Sequence, residues 1–252
     1  MKKVVATVHF NTPELTEAMI LSLRKHGGED YKVVILDNSD KKPFKISRNK
    51  TGIYGKPLGD VKVINNRKGQ VIDFAKELAK FPDKDEDYGC ALGCYFGSDV
   101  HMMSVQKLWE LIPEGFILVD SDILIKKSID FMFVEDQCTI GCVSDKTAKR
   151  IPRLVPMLLW INVPMCVAGG ARFFDPDRAW ALHKGWDDPR NFWDTGAAFL
   201  DDIKRLKPQC HGKTISREMI LSLMEHYGAG SWEKNDLDLQ KNWLEEHKDL
   251  WG

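Results

Sequence analysis

No stretch of this sequence reaches the roughly 18 uninterrupted apolar residues that a membrane-spanning helix needs. The nearest approach, Leu154 to Ala168, is broken by Pro156, Asn162 and Pro164 and reads as buried strand and loop. Neither sign of charge prevails, with 36 lysines and arginines against 37 aspartates and glutamates. No field is therefore available to gather nucleic acid or an acidic membrane surface. Lys2 and Lys3 imitate the start of a signal peptide, but the apolar run behind them stops at His9 and Asn11, too early for a hydrophobic segment of that kind. Without such a segment the six cysteines are expected as reduced thiols. Two C-x3-C pairs, Cys90/Cys94 and Cys138/Cys142, have a spacing that zinc tolerates. Cys138 to Cys142 reads instead as a buried strand of small and apolar residues. G-x-G-x-x-G and H-E-x-x-H are both missing. Gly212-Lys213-Thr214 lacks the upstream glycine of a phosphate loop, position 207 being lysine. Asp194-Thr195-Gly196 occurs once, in an α/β context that does not suit an aspartic protease. Repeats, low-complexity runs and linkers are also lacking.

What is present suffices for a sizeable core, since 43% of the 252 residues are hydrophobic. The first half alternates strand and helix. Val4 to Phe10 is rich in β-branched residues and predicts a strand. Thr12-Pro13 predicts a helix start, with Thr as cap and Pro in the first turn. The helix carries Leu15, Ala18, Met19 and Leu23 as its apolar stripe and ends at Gly27-Gly28. Lys32 to Leu36 and Val61 to Ile64 predict further strands, and Val71 to Ala79 a helix. Ser98-Asp99 caps another helix, with Val100, Met103, Leu108, Leu111 and Ile112 facing inward. Phe116 to Val119 is wholly apolar, as in the middle of a parallel sheet. The alternation predicts an α/β fold with a mostly parallel central sheet flanked by helices. Ligands of such sheets bind beyond the carboxyl ends of the strands. Asn11, Asp37, Asn38, Asn65, Asp120 and Asp122 all fall at such ends.

D-x-D alone means little, because the chain holds five: 83/85, 85/87, 120/122, 175/177 and 236/238. Only Asp120-Ser121-Asp122 directly follows a buried apolar strand and precedes another apolar run, Ile123-Leu124-Ile125. Carboxylates two residues apart on extended backbone point the same way and repel one another. A hard divalent cation with oxygen ligands resolves that conflict.

Phe116 to Asp122 resembles the D-x-D strand of GT-A glycosyltransferases. Val5 to Leu15 resembles the first strand and helix of the family 2 group, and Asn65 to Gly69 is similar to the loop after its third strand. Ser98-Asp99-Val100-His101 and Trp193-Asp194-Thr195-Gly196 are similar to that group too. His226 to Trp232 resembles the C-terminal histidine region of several GT-A families. The Asp120 strand and the His226 region are also similar to retaining family 8 enzymes, and the Glu-Asp pair common in family 2 is absent. The stereochemical outcome is therefore left open.

The resemblance implies a single GT-A domain over residues 1–252. Residues 1 to about 125 would form the nucleotide-binding half, and about 126 to 252 the acceptor side. It implies transfer of a sugar from a nucleotide-diphosphate donor, a UDP- or GDP-sugar, to the hydroxyl of a glycan or lipid-linked acceptor. Asn11, Asp37, Asn38, Asn65 and His101 would hold the donor. Asp120 would bind metal or ribose, and Asp122 would bind Mn2+ or Mg2+ directly. A cytoplasmic enzyme of surface polysaccharide biosynthesis is implied, peripheral at the inner face of the membrane if the acceptor is lipid-linked. No nucleic-acid partner is expected.

Each remaining residue has two readings. His226 completes the metal shell or contacts a phosphate, or else ends a helix, Arg217 to Glu225. Gly228 and Gly230 let backbone amides approach a phosphate, or simply form a turn. Asp194 is the base that deprotonates the acceptor, or caps a helix from Thr195 to Leu206, with Asp187 and Asp188 as rival carboxylates. His101 meets the diphosphate from a helix N-terminus, or lies on the helix surface. Arg150 and Arg153 hold phosphate or acceptor, or are surface residues. Trp193 and Trp232 stack on sugar, or pack in the core. Three other functions compete. A haloacid-dehalogenase-like phosphatase shares the strand-then-D-x-D pattern, but it favours Thr or Val where Leu124 stands. A sugar nucleotidyltransferase would carry a glycine-rich loop that is missing after Val4 to Phe10. A non-catalytic nucleotide-sugar-binding relative would share every feature named.

Overall fold

The computed structural model describes residues 3–27, 30–79, 98–144, 152–175, 194–206, 209–228 and 237–252. The first stretch of chain forms β1 (Lys3–His9), α1 (Pro13–Gly27), β2 (Tyr31–Asp37), β3 (Val61–Asn65) and α2 (Phe74–Leu78). Next come α3 (Ser98–Leu111), β4 (Phe116–Val119), β5 (Ile123–Ile125), β6 (Thr139–Gly141), β7 (Val143–Ser144), β8 (Arg153–Leu154) and β9 (Leu158–Ile161). The remainder forms α4 (Val163–Gly169), α5 (Ala197–Arg205), β10 (Gly212–Thr214), α6 (Arg217–Leu223), β11 (Met224–His226), α7 (Leu237–Glu246) and α8 (Lys248–Trp251). The chain folds as two compact units. One gathers Met1–Arg67, Ile117–Phe133 and Arg217–Gly252, and the other Lys68–Phe116 and Val134–Ser216.

In the first unit the strands lie in the order β4-β1-β2-β3 and every pairing is parallel. The alternation of strand and helix predicts this arrangement. The registers His9↔Asp37 and Asp37↔Asn65 set three carboxyl ends in one row. Helix α1 buries the predicted stripe and much more, since Thr16, Glu17, Ile20, Leu21 and Ser22 are buried as well. It packs on β2 on one side and on β5 and α8 on others, so few of its faces meet water. Its polar side chains serve the backbone. Ser22 Oγ accepts from the Ile125 N–H at 2.9 Å. Glu17 accepts from the Ile53 and Tyr54 N–H groups, and Arg24 donates to the Leu58 carbonyl at 2.9 Å. These bonds pin the long segment between β2 and β3 to the helix.

In the second unit the strand order is β9-β6-β10, with β6 antiparallel to β9 and parallel to β10. Phe199 of α5 packs edge-on to Trp109 of α3 and against Phe173, forming an aromatic centre.

Several sequence expectations change. Of the inward residues expected for α3, Met103, Leu108 and Ile112 are buried, joined by Met102, Val105 and Trp109, whereas Val100 is half-buried and Leu111 turns to solvent. The helix expected over Val71 to Ala79 is shorter, because Asp73 caps it by accepting from the Lys76 N–H at 3.1 Å. Leu154 to Ala168 is strand and helix rather than strand and loop. Asn162 caps α4 through the Met165 N–H, and Pro164 occupies the first turn, where its missing N–H costs nothing. The thiols are not all reduced: Cys138 and Cys210 are bonded, with Cα atoms 5.7 Å apart, while Cys142 and Cys166 are buried and form no disulfide. Cys138 therefore does not pair with Cys142 around zinc, and Cys90 and Cys94 lie outside the described residues. Among the described residues no helix is long and apolar enough to cross a membrane.

Candidate functional site

The carboxyl ends of β4, β1, β2 and β3 carry a row of polar residues. Asp37, at the end of β2, is buried. Its Oδ1 accepts from the Ser39 N–H and its Oδ2 from the Phe44 N–H, each at 2.9 Å. Charge-assisted bonds of this kind organise the loop from 38 to 44 around one carboxylate. Asn11, just past β1, adopts φ 56°, a left-handed conformation that asparagine tolerates better than most residues. Its backbone N–H donates to Ser39 Oγ at 2.8 Å, its Nδ2 to Asp40 at 2.5 Å, and its Oδ1 accepts from the Lys41 and Lys42 N–H groups. Asn11 is thus a brace for the same loop. Asn38 donates its N–H to the His9 carbonyl at 3.0 Å and accepts at Oδ1 from Asn66 Nδ2 at 3.0 Å. The Asn66 N–H donates to the Asp37 carbonyl at 2.8 Å, so the three strand ends are stitched in sequence. Asn65 is exposed and accepts from the Arg67 N–H. Sequence reasoning singled out Asn65 and passed over Asn66, although the buried link to Asn38 runs through Asn66. The adjacent Asn-Asn pair was the only signal, and strand alternation alone does not say which member turns inward.

His9 lies fully buried under this loop. Its Nδ1 faces Thr16 Oγ1 at 2.7 Å and its Nε2 the Lys42 carbonyl at 3.2 Å. Burial lowers its pKa, against the opposing charge of Asp37 and the bond to Lys42. A neutral ring therefore sits there, one nitrogen accepting and the other donating.

At the end of β4, Asp120 and Asp122 are half-buried. They are joined by a residue distant in sequence. β11 pairs antiparallel with β5 in the register Met224↔Ile125, Glu225↔Leu124, His226↔Ile123. The Tyr227 N–H then donates to the Asp122 carbonyl at 3.0 Å. His226 therefore stands on a strand, not on the helix end expected, because α6 stops at Leu223. Its Nε2 is 3.4 Å from Asp122 Oδ1. Ligand atoms of Asp120, Asp122 and His226 all lie within 4.8 Å of one another. Burial lowers the imidazole pKa, but the hydrogen bond to Asp122 and the charges of Asp122 and Asp120 outweigh it and hold the value above the ordinary one. Two carboxylates and an imidazole form a donor set that suits a divalent cation between hard and borderline. Gly228 follows at φ 78°, while Gly230 and Trp232 lie outside the described residues.

In the second unit, Asp194 is buried against Arg153, with Nη1 to Oδ2 at 2.8 Å, and its Oδ1 accepts from the Thr195 N–H at 2.8 Å. The helix behind it begins at Ala197 with Gly196 as its cap, so Asp194 is not the capping residue. Gly196 adopts φ 90°, and a Cβ there would come within 2.0 Å of the Leu154 carbonyl. Asp194-Thr195-Gly196 thus ends in glycine because β8 passes directly against it. His101, in the first turn of α3, has Nδ1 3.1 Å from Thr195 Oγ1. Arg150, Asp187, Asp188 and Trp193 lie outside the described residues.

No family model matches the sequence, and no curated protein matches it. Solved structures do. The apo form of mouse xyloside xylosyltransferase 1 aligns at a TM-score of 0.51 and 11% identity, over 84% of each chain. The apo form of the glycosyltransferase GlyE of Streptococcus pneumoniae TIGR4 aligns at 0.50 and 10% identity, over all of this chain and 62% of GlyE. The chain thus has a GT-A-like glycosyltransferase fold.

Proposed function

We propose that this chain is a metal-dependent glycosyltransferase that takes a sugar from a nucleotide-diphosphate donor. One observation carries the reading. The pairing of β11 with β5 delivers His226 to two carboxylates at the carboxyl end of a central parallel strand, in a glycosyltransferase fold. Asp122 and His226 would be direct ligands, and Asp120 would bind the ion or the ribose. The imidazole favours Mn2+ over Mg2+, which prefers an all-oxygen shell. When bound, the ion neutralises the charge of the departing diphosphate.

The chain's own residues supply the rest. The loop from 38 to 44, held by Asp37 and Asn11, would present backbone and side-chain polar groups to the base and ribose. Asn38 and Asn66 would fix its edge, with Asn65 at the rim. His101 would meet the donor from the first turn of α3, where its Nδ1 stands 3.1 Å from Thr195 Oγ1. Asp194 is offered as the acceptor-side carboxylate. It would act as the base toward the acceptor hydroxyl, with Arg153, 2.8 Å away, holding it in place. A UDP- or GDP-sugar as donor, a glycan or lipid-linked acceptor, and a cytoplasmic site of action belong to the same proposal.

Calorimetric titration of UDP, GDP and CMP, each with and without Mn2+, tests it on wild type and Asp122→Ala. Mn2+-dependent binding of one nucleotide, lost in the variant, is expected. If none of the three binds with Mn2+ present, the assignment fails, and hydrolysis of a small phosphate ester becomes the reaction to assay.

A further inference from the structure

Three sulfurs meet in the second unit, and none belongs to the donor or metal residues above. Cys138 precedes β6 and Cys210 precedes β10. The parallel register Gly212↔Thr139 brings them together, and they are bonded. The Cys138 N–H donates to the His211 carbonyl at 2.7 Å, which fixes the approach. The third sulfur comes from α4, where Cys166 Sγ points at the Cys138 carbonyl at 3.3 Å. The Asn162 N–H at the cap of α4 donates to that same carbonyl at 2.8 Å, so helix and strand are tied at one atom. Gly169 allows the approach on the far side, since a Cβ there would stand 3.1 Å from Cys210 Cβ. All three cysteines are fully buried, and their sulfurs lie within 4.8 Å of one another.

A single buried cysteine is an ordinary small apolar residue. Three sulfurs drawn from separate segments to one point are a donor set. Metal–sulfur bonds of about 2.3 Å place three sulfurs around one ion about 4 Å apart, within the span seen here. Among the described residues the group holds no fourth His, Cys, Asp or Glu. A three-sulfur set suits a soft ion content with three thiolates rather than zinc, which takes four ligands in structural sites.

We propose that Cys138, Cys166 and Cys210 form a redox-gated site for a thiophilic cation of the Cu+ class. In the oxidised form the Cys138–Cys210 bond closes the site. A dithiol reductant opens it by giving two electrons and two protons to that bond. The bond breaks into two thiols and the reductant becomes a disulfide. The ion then takes the three sulfurs as thiolates, and their protons pass to solvent. The site stands independently of the glycosyl-transfer reading.

The full chain would be titrated anaerobically with Cu+ against a chromogenic Cu+ chelator, in a Cys90→Ser/Cys94→Ser background that removes the other spaced pair. The dithiol-reduced protein is expected to hold one Cu+ per chain, and the disulfide form none. Cys166→Ser should lower affinity at least tenfold, while Cys142→Ser, a buried thiol outside the group, should not. Failure of the reduced chain to hold Cu+, equal retention by the oxidised chain, or full retention by Cys166→Ser overturns the proposal. The reduced-against-oxidised comparison needs no change at the cluster, so it decides the matter even if Cys166→Ser fails to fold.

Discussion

Replacing Asp37 by alanine tests how the strand-end loop is built. The carboxylate is buried and accepts from two backbone N–H groups, those of Ser39 and Phe44, and both of these residues are themselves buried. Alanine removes both acceptors and supplies none. Each orphaned buried donor costs about 1–3 kcal/mol, so the variant should lose about 2–6 kcal/mol. Regained solvation of the absent charge works the other way and favours the lower part of that span. Such a loss is a large share of the stability of an ordinary domain, about 5–15 kcal/mol. Asparagine keeps an oxygen for one N–H but turns its amide toward the other, so Asp37→Asn should fall between wild type and Asp37→Ala. Urea unfolding followed by tryptophan fluorescence at fixed pH reads the difference, provided the slope with urea is unchanged. Nucleotide affinity should fall with stability in the same order, because the loop and the proposed ribose contacts are one structure. An Asp37→Ala chain within about 0.5 kcal/mol of wild type, the range of a neutral surface change, would refute the claim that this carboxylate organises the loop.

Three further outcomes are expected. His226→Ala should weaken Mn2+ binding about tenfold or more, since changing a residue that merely hydrogen-bonds to a metal ligand already costs that much; Mn2+ titration by electron paramagnetic resonance would show it, and an unchanged affinity would remove His226 from the site. His9 is held below its ordinary value of 6.5 by burial, so as pH falls through 6.5 the unfolded chain takes up a proton before the folded one does. Stability should therefore drop on acidification through that range, down to the folded value, and His9→Gln should lack this part of the slope in urea unfolding measured pH by pH. Gly196→Ala should cost at least about 3 kcal/mol, from left-handed strain and from collision with the Leu154 carbonyl; a variant as stable as wild type would mean that β8 does not pass so close.

The parallel strands were legible because short β-branched runs, each followed by polar residues and a helix, admit few arrangements. The D-x-D at the end of Phe116–Val119 stood out for the same reason. What could not be read depended on contacts between distant segments. Nothing near His226 announces that α6 gives way to a strand after Leu223, because that change is dictated by pairing with β5. The bond between Cys138 and Cys210 follows from the register of β6 with β10, which the sequence around neither cysteine announces, so reduced thiols were expected. In α3 the apolar residues are dense enough to support two neighbouring stripes, and packing chose the one that leaves Leu111 outside. Asp194 looked like a cap because a helix follows it, yet Arg153 claims it from β8.

The β5–β11 pairing also sets a time order on the ribosome. Asp122 and His226 are roughly a hundred residues apart, and closing a loop of that length carries an entropic cost that late contacts must repay. A nascent chain emerging N-terminus first can settle β1, β2, β3 and β4 long before Met224–His226 is synthesised. During that interval the two carboxylates exist without their imidazole. Capture of the proposed ion would then belong to the last act of folding, and metal uptake by stalled chains of increasing length would mark the moment at which the C-terminal strand docks.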